Sequence, residues 1–259
     1  MASSQTLQRG LMILRILTRH GAKGMRIHEI EKKSKLNKTT AMRLTKTLVS
    51  ENFLVHDART KTYTLGPESY AVGLAAEPRY GLQRLAEPHL RKLSLETGDC
   101  VLFSIIHGVE WVCLSIFDGA TPIPPQTLKP GDHYPLGAGS AGLAMLAFMS
   151  KDEQEKIIAL NKPKIQSEFP HANVNEIDQE LKDFKGQGYS FIPGSLVQGY
   201  WALGVPLLDN KGHPLAAISL VTSEDRLQLS RRLILANRMI QISQEIQNAQ
   251  IPQRTDSNP

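Results

Sequence analysis

Hydrophobic and polar positions in the first fifty residues alternate with the period of amphipathic helices. Leucine and isoleucine recur at helical spacing over Gln5–Arg19, and Gly21 ends that run. A second short helix fits Ile27–Ser34, and a third fits Lys38–Glu51, with Asn37 or a neighbouring residue as its N-cap. Two short helices joined by a tight turn are typical of a helix-turn-helix.

The third helix is predicted to have a buried stripe and a polar surface. Ala41, Leu44 and Leu48 define the stripe. The side chains left on the other faces are Lys38, Thr39, Thr40, Met42, Arg43 and Lys46. Arginine and lysine donate to guanine edges or phosphates, and threonine contacts a phosphate or a thymine methyl group. We therefore expect this set to contact DNA in the major groove.

The pattern then changes to the alternation of a β-hairpin over residues 53–66, and its tip carries Arg59 and Lys61, as a phosphate-contacting wing would. Helix order, basic helix face and basic hairpin together predict a winged helix-turn-helix over residues 1–66. The alternative is a helical bundle with a solvated basic face.

Charge is segregated along the chain in the way that a polyanion partner requires. The 259 residues carry a net charge of +5, but residues 1–66 hold 13 Lys and Arg against 4 Asp and Glu. The remainder holds 17 against 21, so all the excess positive charge lies in the first quarter. This distribution favours nucleic acid as the partner of the N-terminal domain.

Composition indicates two folded domains and a cytoplasmic location. Hydrophobic residues make up 41% of the chain, yet no apolar run approaches the roughly 20 residues of a membrane helix. The N-terminus lacks the pattern of a signal peptide. Cys100 and Cys113 lie in apolar runs and are expected to be reduced core thiols, with a disulfide or redox role as the alternative.

The rest of the chain predicts a linker helix over 67–82, a larger domain over 83–249 and a disordered tail over 250–259. A proline-rich loop over 122–130 could border a pocket. Helices are predicted at Leu85–Thr97, Lys151–Leu160, Val174–Gln187 and Asp225–Asn248. Strands are predicted at Cys100–His107, Glu110–Phe117, Tyr189–Ile192, Leu203–Leu208 and Leu215–Val221.

A glycine-rich stretch, Gly137-x-Gly139-x-x-Gly142, formally matches a dinucleotide-binding pattern. That fingerprint needs a preceding buried strand within a βαβ unit, whereas Pro130–Pro135 precedes it here. Nor is it a nucleophile elbow, since Ala138 stands where that motif needs glycine. Two interpretations stay open: small residues that let a helix pack closely on the sheet, or a helix N-terminus that accepts a ligand carboxylate.

Several segments resemble the IclR-type bacterial transcriptional regulators, in the family's order over about residues 5–248. They are LQRGLMIL at 7–14, IHEI at 27–30, LNKTTAMRLTKTL at 36–48, YTLG at 63–66, YPLGAGSAGLA at 134–144, ALGVPLLD at 202–209 and PLAAISL at 214–220. The resemblance implies an α+β chain with a GAF/profilin-like effector domain, an antiparallel sheet flanked by helices. It also implies a homodimer or homotetramer on a palindromic operator.

The chain departs from the family at several positions. Glu31 stands where a small residue is common, so we expect it to tilt toward solvent, and Lys35 must accept a turn conformation that glycine takes more easily. The family's acidic cluster and cysteine are replaced by Ile192–Ser195 and Ala202. The expected effector pocket is therefore less acidic than usual and suits a neutral or aromatic acid.

Candidate effector-binding residues follow from the glycine-rich helix and the resemblance: Ala138, Ser140, Ala141, Ile192, Leu196, Trp201, Ala202 and Ser219. No cofactor or metal is expected, because the eight histidines are scattered without metal-ligand spacing. The sequence thus predicts a ligand-responsive, sequence-specific DNA-binding regulator, of a catabolic operon, with a small organic acid as effector. The alternatives are a small-molecule enzyme with an incidental basic segment and a nucleoid-type DNA binder without a ligand.

Overall fold

The computed structural model describes residues 4–18, 20–120, 128–169, 172, 174–194, 196 and 198–249. The expected disordered tail and most of the proline-rich loop lie outside these residues. The chain divides at Gly81–Leu82 into two compact units, each with its own core.

The N-terminal unit begins with three helices, α1 (Gln5–Thr18), α2 (Ile27–Ser34) and α3 (Lys38–Ser50). Three short strands, β1 (Met25–Arg26), β2 (Leu54–Asp57) and β3 (Thr62–Leu65), form an antiparallel sheet in the order β1-β3-β2. Ile13, Leu17, Met25, Ile30, Leu44 and Leu54 make up its core. Sequence analysis missed β1, because two residues are too short to show an alternating pattern.

Helix α4 (Pro67–Tyr80) completes this unit, where residues 67–82 were predicted to form the linker helix. Pro67 occupies its first turn, the one place in a helix where the missing N–H of proline costs nothing. Tyr70, Val72 and Leu74 are exposed on it, with relative exposures of 70%, 53% and 48%. Within its own unit, α4 therefore leaves apolar side chains uncovered.

The C-terminal unit is built on a six-stranded antiparallel sheet in the order β6-β5-β4-β9-β8-β7. Its strands are β4 (Cys100–His107), β5 (Glu110–Phe117), β6 (His133–Pro135), β7 (Ser190–Pro193), β8 (Tyr200–Leu208) and β9 (Pro214–Ser223). The bounds predicted for β4 and β5 are confirmed. Strand β6 lies beyond the predicted proline-rich loop, in a stretch for which no strand was predicted, and it forms because the backbone of β5 pairs with it.

Helices cover both faces of this sheet. They are α5 (Leu82–Thr97), α6 (Gly139–Leu146), α7 (Lys151–Glu168), α8 (Ile177–Gln187) and α9 (Leu229–Ala249). Helices α5 and α9 pack on one face around Phe103 and Ile218, and α6 and α8 pack on the other around Leu102 and Cys113. Alternate residues of each strand therefore contribute to two separate cores.

Both cysteines are buried and reduced, as expected. Burial raises the pKa of the Cys113 thiol, and the charge of Asp132 raises it further, so the thiolate is disfavoured. No helix in the described part of the chain is long and apolar enough to cross a lipid bilayer.

Candidate nucleic-acid interface and ligand cavity

Helix α3 is held at its start by the cap that the sequence predicts. Asn37 Oδ1 accepts the backbone N–H of Thr40 at 2.9 Å. Ala41 and Leu44 are buried, as expected, and Leu48 is partly buried. The cap sets where α3 begins, and the burial of Ala41 and Leu44 shows which side of the helix faces away from the core.

The predicted DNA-contacting side chains lie on that outer side. Lys38, Thr39, Met42, Arg43 and Lys46 are exposed, and Thr40 is half-buried. Thr39, Arg43 and Lys46 follow one another at helical spacing and share one face. The helix therefore presents one continuous polar and basic surface.

The hairpin that follows presents the other predicted cations. Asp57 Oδ1 accepts the backbone N–H groups of Arg59 and Thr60, at 2.7 and 3.2 Å, and fixes the turn. These hydrogen bonds hold the pKa of Asp57 below its usual value. Lys61 closes the turn with a φ of 57°, and the side chains of Arg59 and Lys61 are exposed.

The exposed basic side chains of α3 and the hairpin differ from Arg91 of the C-terminal unit in whether they form ion pairs. Among the described residues, no carboxylate forms an ion pair with Arg43, Lys46, Arg59 or Lys61. Arg91 of α5, by contrast, pairs with Glu87 at 2.8 Å. The basic surface of the N-terminal unit is thus uncompensated, as binding to a polyanion requires.

The two departures from the family pattern in this unit have different outcomes. Lys35 takes the left-handed conformation, with a φ of 53°, as expected for the turn between α2 and α3. The expectation that Glu31 tilts toward solvent is wrong: its Oε1 is buried and accepts no hydrogen bond from any described residue. Packing of α2 against α1 and α3 leaves this side chain partly enclosed.

A cavity lies in the C-terminal unit between the sheet and the start of α6. The space between its walls amounts to about 540 Å³, a figure that includes solvent-open space at the mouth. Its walls are mostly apolar and, among the described residues, carry no charged side chain. They are formed by Leu102, Ser104, Trp111, Leu128, Gly139, Ser140, Ala141, Ile192, Leu196, Tyr200, Ala202, Ser219 and Val221.

Three serine hydroxyls supply polar groups in these walls. Ser140 Oγ lies 3.3 Å from Ser219 Oγ, a long contact for two hydroxyls. Ser104 is fully buried, and its Oγ makes no hydrogen bond within the described part of the chain. Since buried polar groups are nearly always hydrogen-bonded, the Ser104 hydroxyl is an unusual group in the wall of the cavity.

Six of the eight predicted effector-binding residues line this cavity: Ser140, Ala141, Ile192, Leu196, Ala202 and Ser219. Trp201 does not, because alternation along β8 turns it to the opposite face, where it packs edge-to-face on Phe191. Ala138 does not either. It precedes α6, and its carbonyl oxygen accepts the Trp111 Nε1–H at 2.9 Å.

Other lining residues were missed by sequence analysis, including Leu102, Ser104, Trp111, Leu128, Tyr200 and Val221. Alternation along β4 places Leu102 and Ser104 on the same face of the strand. Nothing in the local sequence indicates which face of the strand borders a cavity. Nothing in the sequence separates Trp111 and Tyr200, which face the cavity, from aromatic residues that pack only in a core or an interface. A β-bulge leaves Leu114 without a partner in β4 and resets which residues of β5 face the cavity.

The glycine-rich stretch serves close packing. A Cβ at Gly142 would lie 2.9 Å from the Trp111 ring, and one at Gly139 would lie 2.7 Å from Leu196. The strand before it, β6, is antiparallel to β5 and belongs to no βαβ unit. Close packing is thus observed, and the residues that pack closely also line the cavity, whereas the interpretation as a carboxylate-binding helix start stays a prediction.

These features define a class: a winged helix-turn-helix DNA-binding unit on the same chain as a sheet-and-helix unit that encloses a small cavity. Two family models match the chain, the IclR helix-turn-helix domain over residues 6–58 and the bacterial transcriptional regulator IclR C-terminal domain over residues 75–248. The chain belongs to the IclR family of DNA-binding transcriptional regulators. The expected α+β fold class is confirmed.

Individual relatives agree with this assignment. The DNA-binding transcriptional repressor YiaJ of Escherichia coli K12 is 25% identical over 250 residues, covering 95% of this chain and 88% of YiaJ. An IclR regulator of Alicyclobacillus acidocaldarius shares the fold with a TM-score of 0.78, at 19% identity, over 95% of this chain and 99% of that one.

A third relative was crystallised with a small molecule. This IclR homologue of Microbacterium hydrocarbonoxydans, complexed with 4-hydroxybenzoate, has a TM-score of 0.75 at 18% identity, over 94% of this chain and 98% of that one. The matching families and curated relatives are transcriptional regulators and not enzymes.

Proposed function

We propose that this protein is a ligand-responsive, sequence-specific regulator, of a catabolic operon, which binds a small organic acid in the cavity beside α6. The buried Ser104 hydroxyl in an otherwise mostly apolar wall is the observation that carries the ligand proposal. The ligand we expect is an acid with one ring or a short chain. The first-turn N–H groups of α6, together with Ser140 and Ser219, would receive its carboxylate.

Uncharged walls argue for an aromatic or weakly polar acid over a small, highly polar one. A dicarboxylate would bring two charges into a cavity without a charged partner among the described residues, which is costly. The rings of Trp111 and Tyr200 offer apolar surface to an aromatic ligand. The 4-hydroxybenzoate found in the Microbacterium homologue belongs to the same chemical class.

Regulation would arise because the ligand binds one arrangement of the oligomer more tightly than another. A ligand that favours one arrangement of a homodimer or homotetramer changes the spacing of the paired α3 helices, and so the affinity for a palindromic operator in the cytoplasm. The exposed Tyr70, Val72 and Leu74 support contact with a second copy of the chain. An allosteric coupling of about 1–3 kcal/mol would alter operator affinity roughly 5- to 150-fold.

The ligand proposal is tested by thermal shift of the full-length protein with a panel of aromatic, hydroxy and keto acids. We expect aromatic acids to raise the melting temperature. Ser104→Ala should weaken that response, whereas Ser115→Ala should not, because Ser115 also has a buried unpartnered hydroxyl but lies away from the cavity. No response to any acid, or equal losses in both variants, would contradict the proposal.

The DNA proposal is tested with an operator selected by the wild-type protein from random duplexes. Arg43→Ala should abolish selective binding in an electrophoretic shift assay, because a bidentate arginine contributes about 1–3 kcal/mol to base discrimination. Arg91→Ala, an exposed arginine of the C-terminal unit, is the matched control. Normal operator selection by Arg43→Ala would exclude α3 as the reading helix.

A further inference from the structure

Two histidines and a glutamate meet at the end of the C-terminal sheet, away from the cavity. His107 ends β4 and Glu110 begins β5, on either side of a two-residue turn, and the two residues are register partners. His133 begins β6 and pairs with Val112, two residues beyond Glu110 on the same face of β5. Three side chains that are scattered in sequence therefore converge on one point.

The potential ligand atoms of these three residues lie nearly as close together as the ligand atoms around one bound metal ion. His133 Nδ1 lies 3.2 Å from Glu110 Oε2, and the ligand atoms of all three residues lie within 4.8 Å of one another. With bonds of about 2.0–2.1 Å, neighbouring ligands of a tetrahedral zinc ion lie roughly 3.3–3.4 Å apart. His107 is exposed at the tip of the hairpin, so its ring has room to close the remaining gap.

We propose that His107, Glu110 and His133 bind a divalent transition-metal ion of the zinc type. Two imidazoles and one carboxylate suit zinc, cobalt or nickel, whereas calcium and magnesium prefer shells of oxygen alone. Three protein ligands leave the fourth position to water or to another donor. The ion would replace the proton that His133 and Glu110 share in their hydrogen bond.

The site is separate from the ligand cavity but adjoins its wall. Trp111 and Tyr134 are the next residues after Glu110 and His133, and they face the other side of the sheet, where their rings stack at 4.6 Å. A bound ion would clamp the β4–β5 hairpin to the edge strand β6, which leads into the glycine-rich start of α6. The metal would thereby stiffen one wall of the cavity.

Lys164 tunes this site. Its Nζ lies 2.6 Å from Glu110 Oε1, which leaves Oε2 facing His133. A fixed ammonium charge this close opposes a second cation. Lys164→Met removes this charge and should therefore tighten metal binding by roughly tenfold.

The experiment is titration of the EDTA-treated full-length protein with Zn²⁺ by calorimetry, and with Co²⁺ by its visible absorption. We expect one ion per chain and the intense visible bands of tetrahedral cobalt. Since loss of an outer group costs about 10–100-fold in affinity, loss of a direct ligand in His107→Ala or His133→Ala should cost at least about a hundredfold.

His213→Ala is the matched control, because His213 also contacts a carboxylate, Asp209, at 3.2 Å, but without a third donor in the described residues. It should bind metal as the wild type does. Absence of binding by the wild type, wild-type affinity in either site variant, or an equal loss in His213→Ala would overturn the proposal. Circular dichroism checks folding, and the exposed His107 carries the test should His133→Ala unfold.

Discussion

The indole Nε1–H of Trp111 donates a hydrogen bond to the carbonyl oxygen of Ala138 at 2.9 Å, joining β5 to the residue before α6. Both residues are buried, and the same ring limits the side chain that position 142 can carry. The start of the helix that borders the cavity is thus positioned by a side chain 27 residues earlier in the chain.

Trp111→Phe should lower the free energy of unfolding by about 1–3 kcal/mol, because it removes this hydrogen bond and leaves part of the indole volume empty. It should also weaken any ligand of the cavity. Trp201→Phe is the control on the opposite face, and we expect it to leave ligand affinity unchanged. Chemical denaturation and ligand titration of both variants provide the measurements; equal ligand affinities in the two would show that Trp111 does not shape the cavity.

Asp99→Asn should destabilise the C-terminal unit. Asp99 is fully buried, and its carboxylate binds Arg231 at 2.6 Å and Arg226 at 3.0 Å. Removing one partner of a buried pair costs about 3–5 kcal/mol, and we expect roughly 2–3 here because both arginines are about a third exposed.

The control for Asp99→Asn is Glu87→Gln, which breaks the exposed pair with Arg91 and should cost no more than about 0.5 kcal/mol. Urea denaturation compares the two variants. If they prove equally stable, the Asp99 cluster contributes no more than a surface ion pair.

Glu31→Ala should stabilise the protein, unlike most substitutions. It removes a buried oxygen that lacks a hydrogen-bond partner among the described residues, a group that costs about 1–3 kcal/mol, and alanine favours the interior of helix α2. A rise in melting temperature by calorimetry is the expected result. Glu51→Ala, an exposed glutamate just beyond α3, should leave the melting temperature nearly unchanged. A lower melting temperature in Glu31→Ala would mean that Glu31 has a stabilising partner.

Glu180 makes stability depend on pH. Burial raises its pKa to about 7, and the charges of Glu176 and Asp183 contribute to the rise. The folded state therefore holds this proton more tightly than the unfolded state does, so stability falls as pH rises from about 4.5 to about 7.

Glu180→Gln removes this pH-dependent loss of stability, because glutamine does not ionise. At pH 8 the variant should be more stable than the wild type by about 1–2 kcal/mol, allowing for solvent screening, and at pH 4 the difference should vanish. Chemical denaturation at both pH values measures this difference in stability. Glu155→Gln, at an exposed position, is the control. A gain of equal size at both pH values would exclude the proposed titration.

Lys61→Ala should weaken binding to all duplexes alike. In the proposed interface Lys61 would contact phosphate and not bases, so its loss should reduce the slope of log affinity against log salt by roughly one unit. Lys211→Ala, at a turn of the C-terminal unit, should leave the slope unchanged. An unchanged slope in Lys61→Ala would remove the wing from the proposed interface.

Elements whose signals are local could be predicted from the residues alone. The cap at Asn37, the outer face of α3 around Arg43 and the bounds of β4 and β5 follow from side-chain period and turn residues, which act over a few positions. The basic surface was equally visible, since charge is counted without knowing the fold.

The residues that come together in the cavity and in the proposed metal site could be identified only from contacts between distant parts of the chain. Strand alternation places Tyr200 and Trp201 on opposite faces of the sheet but does not say which face borders a cavity. The bulge in β5 shifts the alternation by one residue, so it changes which face of the sheet Trp111 lies on relative to the residues beyond the bulge. His107 and His133 lie 26 positions apart, and only the pairing of β6 with β5 brings them together. Contacts between distant segments depend on register and on the packing of whole layers, which no short window of sequence contains.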